Sequence, residues 1–206
     1  MKKTSFSTII FILMIISVFG QEQASQNPRV FRLGADIGFA QVGFIDSEGD
    51  NSTQFFQVQI APDYRFCKHF GVRLDIGWGR SFGSNIGGSA TLHPVFSCQQ
   101  ATAFLAPYFE WDFGKCYLAI AVGPTFRFRH VDWGGYGFTP LTTYAVGCGL
   151  QPRVGIHLPH RWDLAISARF EGAFYDPMAN VVFFDEEKHL NGSMFVNVGA
   201  CYNFGK

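Results

Sequence analysis

Phe70-Gly71-Val72-Arg73-Leu74-Asp75-Ile76-Gly77-Trp78-Gly79 changes character at every step. Phe70, Val72, Leu74, Ile76 and Trp78 are large and apolar, whereas Gly71, Arg73, Asp75, Gly77 and Gly79 are small or charged. Side chains on a β-strand point to opposite faces in turn, so this period of two describes a strand with one greasy and one polar face. The pattern recurs on both sides. Phe31 to Phe39 sets Phe31, Leu33, Ala35, Ile37 and Phe39 against Arg32, Gly34, Asp36 and Gly38. Phe56 to Phe66 sets Phe56, Val58, Ile60, Tyr64 and Phe66 against Gln57, Gln59, Asp63 and Arg65. Further alternating segments begin near Ala101, Tyr117, Tyr144, Leu164 and Met194, giving eight in all.

The connections between them alternate in length. Cys67-Lys68-His69, Gly114-Lys115 and Pro159-His160-Arg161 are tight, and the stretches near 41–54, 82–99, 130–142 and 175–192 are long. Outer-membrane barrels have short periplasmic turns and longer extracellular loops. Segment pattern and connection pattern thus agree on one fold class: all-β, an eight-stranded antiparallel up-and-down transmembrane β-barrel. With 16% charged residues, 24 Phe and 23 Gly among 206 residues, the composition suits an exterior that faces lipid. After the first twenty residues no apolar stretch is long enough for a membrane helix, and a membrane sheet without helices must close on itself.

The placement of charge fixes which face is inside. Arg32, Asp36, Asp63, Arg65, Arg73, Asp75, Glu110, Arg127, Arg129, Arg153, Arg169 and Glu171 all fall on the polar faces. A soluble barrel would turn them outward. Here the opposite face is almost free of charge over eight strands, so the charged face is expected inside. An eight-stranded barrel has an interior just wide enough for side chains to fill. Arg32, Asp36, Asp63, Arg65, Arg73, Asp75, Glu110, Arg127, Arg153, Arg169 and Glu171 are therefore expected to form a lumen charge network, with Gly making room for Arg and Tyr. His157 is expected inside, near the periplasmic end, bonded to a lumen carboxylate. Phe66, Phe70, Trp78, Trp111, Phe113, Tyr144, Trp162, Tyr202 and Phe204 are candidates for the two aromatic girdles.

Residues 1–20 read as a secretory signal, with Lys2 and Lys3, an apolar run from Ile9 to Ile16, and Val18 and Gly20 before the cut. Residues 21–206 then form the barrel domain. Gln21, not Cys, follows the cut, which argues against a lipid anchor. The five cysteines, Cys67, Cys98, Cys116, Cys148 and Cys201, are scattered without CxxC spacing. Free thiols fit them better than a disulfide, although an exported chain permits one.

The terminal segment Phe195-Val196-Asn197-Val198-Gly199-Ala200-Cys201-Tyr202-Asn203-Phe204, with the signal and the eight alternating strands, resembles the small outer-membrane β-barrel family. The likeness is to porin-like, OmpA/OmpX-type barrels of Bacteroidetes and covers the whole mature chain. It implies that Tyr202 and Phe204 form part of the signal read by the barrel-assembly machinery. Gly205 and Lys206 follow that segment, unlike a strictly C-terminal aromatic. Unlike in the two-domain members, no peptidoglycan-binding domain is expected after the barrel.

Chemistry beyond this is sparse. Some barrels of this size resemble lipid A-modifying enzymes, which need a nucleophile and a base within hydrogen-bond reach. His93, His130 and His189 and Ser81, Ser84 and Ser89 fall in loops with no spacing that unites them, so no catalytic residue is expected. Asp46-Ser47-Glu48-Gly49-Asp50-Asn51 and Asp185-Glu186-Glu187 read as solvated turns rather than Ca²⁺ loops. The aromatic stretch Asp132–Phe138 suits the membrane interface better than a partner. No metal or other cofactor is expected. Net charge is zero, with 16 basic and 16 acidic residues, which gives no surplus for nucleic acid. The expected partners are outer-membrane lipid, the barrel-assembly machinery and a surface ligand held by the loops, with the barrel a monomer. Three classes of function remain: a structural or surface-presenting barrel, a narrow channel for small solutes, and a lipid-modifying enzyme.

Overall fold

The computed structural model describes residues 30–46, 49–86, 89–91, 97–132, 139–177 and 190–204. The expected signal segment, residues 133–138 of the 130–142 loop and most of the 175–192 loop lie outside them. The strands are β1 (Val30–Asp46), β2 (Gly49–Arg65), β3 (Phe70–Ile86), β4 (Ser89–Thr91), β5 (Ser97–Asp112), β6 (Cys116–Asp132), β7 (Leu141–His157), β8 (Trp162–Tyr175) and β9 (Leu190–Asn203). The order is β2-β1-β9-β8-β7-β6-β5-β3, and a further β2–β3 pairing closes the ring. Every pairing is antiparallel. Closure leaves the long strands no open edge, as a sheet in lipid requires. The three-residue β4 pairs only with the upper end of β3 and adds nothing to the ring.

The eight expected strands are present, and the three tight connections fall where the sequence places them. At Gly114 the backbone has φ 84°, a left-handed conformation that favours glycine, and the Gly114 N–H donates to Asp112 Oδ1 at 2.8 Å. The β7–β8 turn puts His160 and Arg161 in the same left-handed region, at φ 62° and 68°. The Arg161 carbonyl there accepts from Asn203 Nδ2 at 3.0 Å.

Strand length differs from expectation. The strands run 14–17 residues, apart from β4, and much of what reads as the 41–54 and 82–99 loops is ladder. The β1–β2 register continues from Val30↔Arg65 to Asp46↔Gly49. The reason is an exchange of polarity between the faces. Below it Ile37 and Phe39 point out and Asp36 points in. Above it Gln41, Gln99 and His130 point out, while Val42, Phe55, Cys98 and Val131 are buried inside. The alternation persists with its sign reversed, so hydrophobicity alone reads as irregular there. A greasy exterior that gives way to polar side chains is what a sheet shows where it leaves lipid for water.

Two bulges re-aim side chains at this end. The β2–β3 register slips at Gln54/Phe55, leaving Phe82 as the extra residue on β3. The β7–β8 register slips at Val146/Gly147.

Candidate functional site

The lumen gathers all eleven charged residues singled out for it. Ten of them are buried, and the Arg65 side chain is 16% exposed at the mouth on the short-turn side. They fall into three tiers along the axis, unequal in how well they are satisfied.

The lowest tier is centred on Arg32. Its Nε donates to Asp63 Oδ1 at 2.7 Å and its Nη2 to Glu110 Oε2 at 2.7 Å and to Tyr108 Oη at 2.9 Å. Arg65 Nη1 donates to the other Glu110 oxygen at 2.7 Å, and Tyr108 Oη donates to Asp63 Oδ1 at 3.1 Å. The Arg32 guanidinium also lies 5.6 and 5.5 Å from the ring centres of Tyr108 and Tyr117. Glycine supplies the space. Tyr108 lies across from Gly71 and Tyr117 across from Gly155, and a Cβ on either glycine would run into the facing tyrosine ring.

Below this tier, at the rim, His157 Nδ1 is 2.8 Å from Asp163 Oδ1. Asn203 Nδ2 donates to the other Asp163 oxygen at 3.0 Å. The carboxylate partner expected for His157 is therefore Asp163. It lies between the Pro159–Arg161 turn and the alternating segment that begins near Leu164, and was not singled out in the sequence. Its parity with Ala165, Ser167 and Arg169 was the available signal.

In the middle tier Arg73 Nε donates to Asp75 Oδ1 at 2.5 Å and Arg73 Nη2 to Asp36 Oδ2 at 3.2 Å. Gln59 Nε2 donates to the same Asp36 oxygen at 2.8 Å and Gln151 Nε2 to Asp75 Oδ2 at 2.9 Å, so both Asp75 oxygens are bonded whereas the buried Asp36 Oδ1 accepts no hydrogen bond among the described residues. Neither glutamine was singled out in the sequence, because neutral amides carry no charge pattern. Arg153 is the exception. It is buried, its three guanidinium nitrogens find no hydrogen-bond acceptor among the described residues, and its nearest carboxylate oxygen is Asp36 Oδ1 at 3.9 Å.

The upper tier holds Arg169, whose Nε lies 2.8 Å from Glu171 Oε1. Its guanidinium sits 4.3 Å above the Phe195 ring centre and 5.2 Å from that of Phe104. Such contacts stabilise a cation most where water is excluded. Arg127 Nε is 3.3 Å from Glu171 Oε2, and Arg129 pairs with Asp176. Above this tier the lumen turns apolar. Ala40, Val42, Phe55, Cys98, Val131 and Phe195 form one buried cluster across five strands. A gap between the two lower tiers, lined by Arg32, Asp63, Arg73, Tyr108, Glu110 and Arg153 among others, measures about 10 Å³, room for about one water.

The remaining candidates do not assemble. His130 Nδ1 lies 3.0 Å from Thr142 Oγ1 on the outer face, and His69 Nδ1 is 2.9 Å from the Glu110 carbonyl. Ser81 lies in β3, where its Oγ accepts the Cys98 N–H at 2.8 Å. His93, His189, Trp133–Phe138 and Asp185–Glu187 lie outside the described residues, as do the side chains of Ser84, Ser89, Asp46, Asp50 and Asn51. Among the described residues no group of three His, Cys, Asp or Glu could hold a metal ion. The five cysteines are unbridged.

The outer wall carries the reverse chemistry. Ile37, Phe39, Ile60, Ile76, Trp78, Val122, Phe126, Phe128, Val154 and Ile166 are all exposed. Such a continuous belt far exceeds what a soluble monomer displays. Aromatics collect toward its ends. Trp162–Tyr202, Tyr202–Phe204 and Phe31–Phe204 contact at 5.2, 4.9 and 5.6 Å at the short-turn end, and Phe39 meets Phe56 and Phe82 at 5.9 Å toward the other end.

No protein-family model and no curated protein sequence matches the chain. Solved structures do. A major outer membrane protein from Thermus thermophilus aligns with a TM-score of 0.60 at 16% identity, over 86% of this chain and 100% of that one. Neisserial surface protein A (NspA) aligns with a TM-score of 0.58 at 16% identity, over 84% and 97%. At this identity the likeness is one of fold. The chain folds as the small eight-stranded outer-membrane barrels do.

Proposed function

We propose that this protein resides in a bacterial outer membrane as a side-chain-filled barrel without enzymatic activity, and that it works as a structural element or a surface-interaction module through its extracellular end. The observation that carries this is the inverted polarity of the wall. An exposed apolar belt surrounds a buried, ion-paired lumen, an arrangement that is stable only when the surroundings are lipid. The filled lumen speaks against transport as the main task. His69, His130 and His157 bond a backbone carbonyl, a threonine and a carboxylate rather than a serine, which disfavours hydrolysis. That leaves the extracellular end as the part free to vary in chemistry. Residues 1–20 serve as the export signal, and Tyr202 and Phe204 as part of the signal for barrel assembly.

The test is fractionation together with surface labelling. The protein should be recovered in the outer membrane and migrate differently on a gel before and after heating. A tag at Asn180 should be labelled on intact cells and one at Lys115 should not. Recovery in the soluble periplasm would overturn the reading, and the reverse labelling would overturn the orientation. A binding screen of the folded protein against extracellular matrix components and lipopolysaccharide then identifies the loop ligand.

A further inference from the structure

The outward faces of the strands carry almost no charge, and this makes Arg80 unusual. Of the lysines and arginines in the described strands, it is the one that points outward, and it is exposed. It makes no ion pair among the described residues. Its neighbours across the ladder are Phe56 on β2 and Gln99 on β5, and Trp78 and Phe82 flank it on its own strand. Among the described residues no carboxylate is offered to it.

Its height is set by the strand. Ten residues separate Phe70, at the periplasmic end of β3, from Arg80. At about 3.3 Å per residue and a tilt of about 40° the guanidinium base stands about 25 Å above that end, the height of the apolar band of such barrels. The side chains agree. The line of cross-strand partners Arg80↔Gln99, Gln99↔His130 and His130↔Thr142 is a continuous polar row on the outer wall. Directly beneath it runs Trp78↔Ala101, Ala101↔Phe128 and Phe128↔Tyr144. Arg80 therefore stands where lipid phosphates lie.

Beside it the wall is indented. A niche of about 180 Å³ is lined by Phe39, Gln41, Gln54, Phe82, Met194 and Val196. The bulge at Phe82 turns that ring toward Phe39, which also contacts Phe56, the neighbour of Arg80. The floor is apolar and the lip carries two glutamine amides. A cation without a partner among the described residues, at the headgroup level, next to an apolar niche continuous with the lipid-facing belt, is complementary to one molecule: a phosphate-bearing lipid.

We propose that Arg80 and the adjoining niche form a binding site for one phosphorylated lipid of the outer leaflet, the guanidinium taking the phosphate and the niche a stretch of acyl chain, with Gln41 and Gln54 donating to the linkage oxygens. This rests on the membrane placement proposed above.

Native mass spectrometry of the folded protein, released from detergent micelles with added phosphatidic acid or with diacylglycerol of the same chains, tests it. A single-lipid adduct is expected with phosphatidic acid and not with diacylglycerol. Arg80→Gln should weaken that adduct at least tenfold, and Arg80→Lys should retain most of it. Val196→Trp, which fills the niche, should weaken it with the charge intact. Excess inorganic phosphate should fail to displace the lipid, since it offers no chain. Equal binding of diacylglycerol, an unchanged adduct in Arg80→Gln, or displacement by inorganic phosphate alone would each overturn the proposal. The same variants are checked for insertion into phosphatidylcholine vesicles. Insertion without phosphatidic acid preference sinks the lipid site alone, whereas failure of the unmodified protein to insert sinks the membrane reading.

Discussion

Glu110 is buried and accepts from two guanidiniums, Arg32 and Arg65, both at 2.7 Å. Arg153 is equally buried and donates to no described residue. In sequence the two look alike, each a charge on an inward position, and only the structure separates them. Removing one partner of a buried, well-bonded ion pair leaves the other charge stranded, at a cost of about 3–5 kcal/mol. Glu110→Gln should therefore lower stability by about that amount in denaturant titrations of the vesicle-inserted barrel. Arg153→Met should be neutral or stabilising, because no hydrogen bond is lost and Asp36 keeps Arg73 and Gln59. Equal losses in both variants would show that the lumen behaves as one undivided network. The residue scale also shows what charge patterning misses. Gln59 and Gln151 donate to Asp36 and Asp75, yet as neutral side chains they give no signal that distinguishes them from solvated polar residues.

Ile76 on β3 and Val122 on β6 project from the middle of the apolar belt, and Thr142 on β7 projects from the polar row level with Arg80 along the ladder. A charge on the lipid face costs roughly 2–4 kcal/mol at mid-depth and roughly 0–1 near the interface. Ile76→Arg and Val122→Arg should thus impair folding into bilayers strongly, and Thr142→Arg hardly at all, as read from the heat-modifiable gel shift after refolding into vesicles. Similar tolerance at all three would argue against a lipid-facing wall. At this scale the sequence was legible from Phe31 to Phe39 and its counterparts, because one face meets lipid and the other a charged lumen, so burial and hydropathy alternate together. It was illegible above Ala40 and below Gln57. There Gln41 and Gln54 face outward while Val42 and Phe55 pack inside, so the sign of the alternation reverses within one strand. Backbone pairing is indifferent to that sign. The ladder runs on to Asp46↔Gly49, and much of what reads as a polar loop is a continuation of the barrel wall. Arg80 was passed over for the same reason: it sits at the changeover, where the alternating pattern no longer marks inside from outside.

For the whole molecule the question is whether the axis is open. Eight strands enclose too little room for an aqueous channel, whereas wide porins use about 16–18. What room there is holds two successive obstructions of different chemistry. The lower is ionic, from the Arg32–Asp63–Glu110 group up to Arg169 and Glu171. The upper is apolar, the cluster of Ala40, Val42, Phe55, Cys98, Val131 and Phe195. An ion passing the first must exchange bonds with buried pairs. To pass the second it must shed water among groups that offer none in return, which is costly for a charge. The two act in series, so loosening either leaves the other in place. In planar bilayers the purified protein should show no steady conductance of porin size. Phe55→Ala, which thins the apolar plug, and Glu110→Gln, which loosens the ionic tier, should each remain closed or flicker briefly. The double variant should open more often than either alone. A large, stable conductance in the unmodified protein, proportional to salt concentration, would refute the closed-lumen reading and make solute passage its main activity.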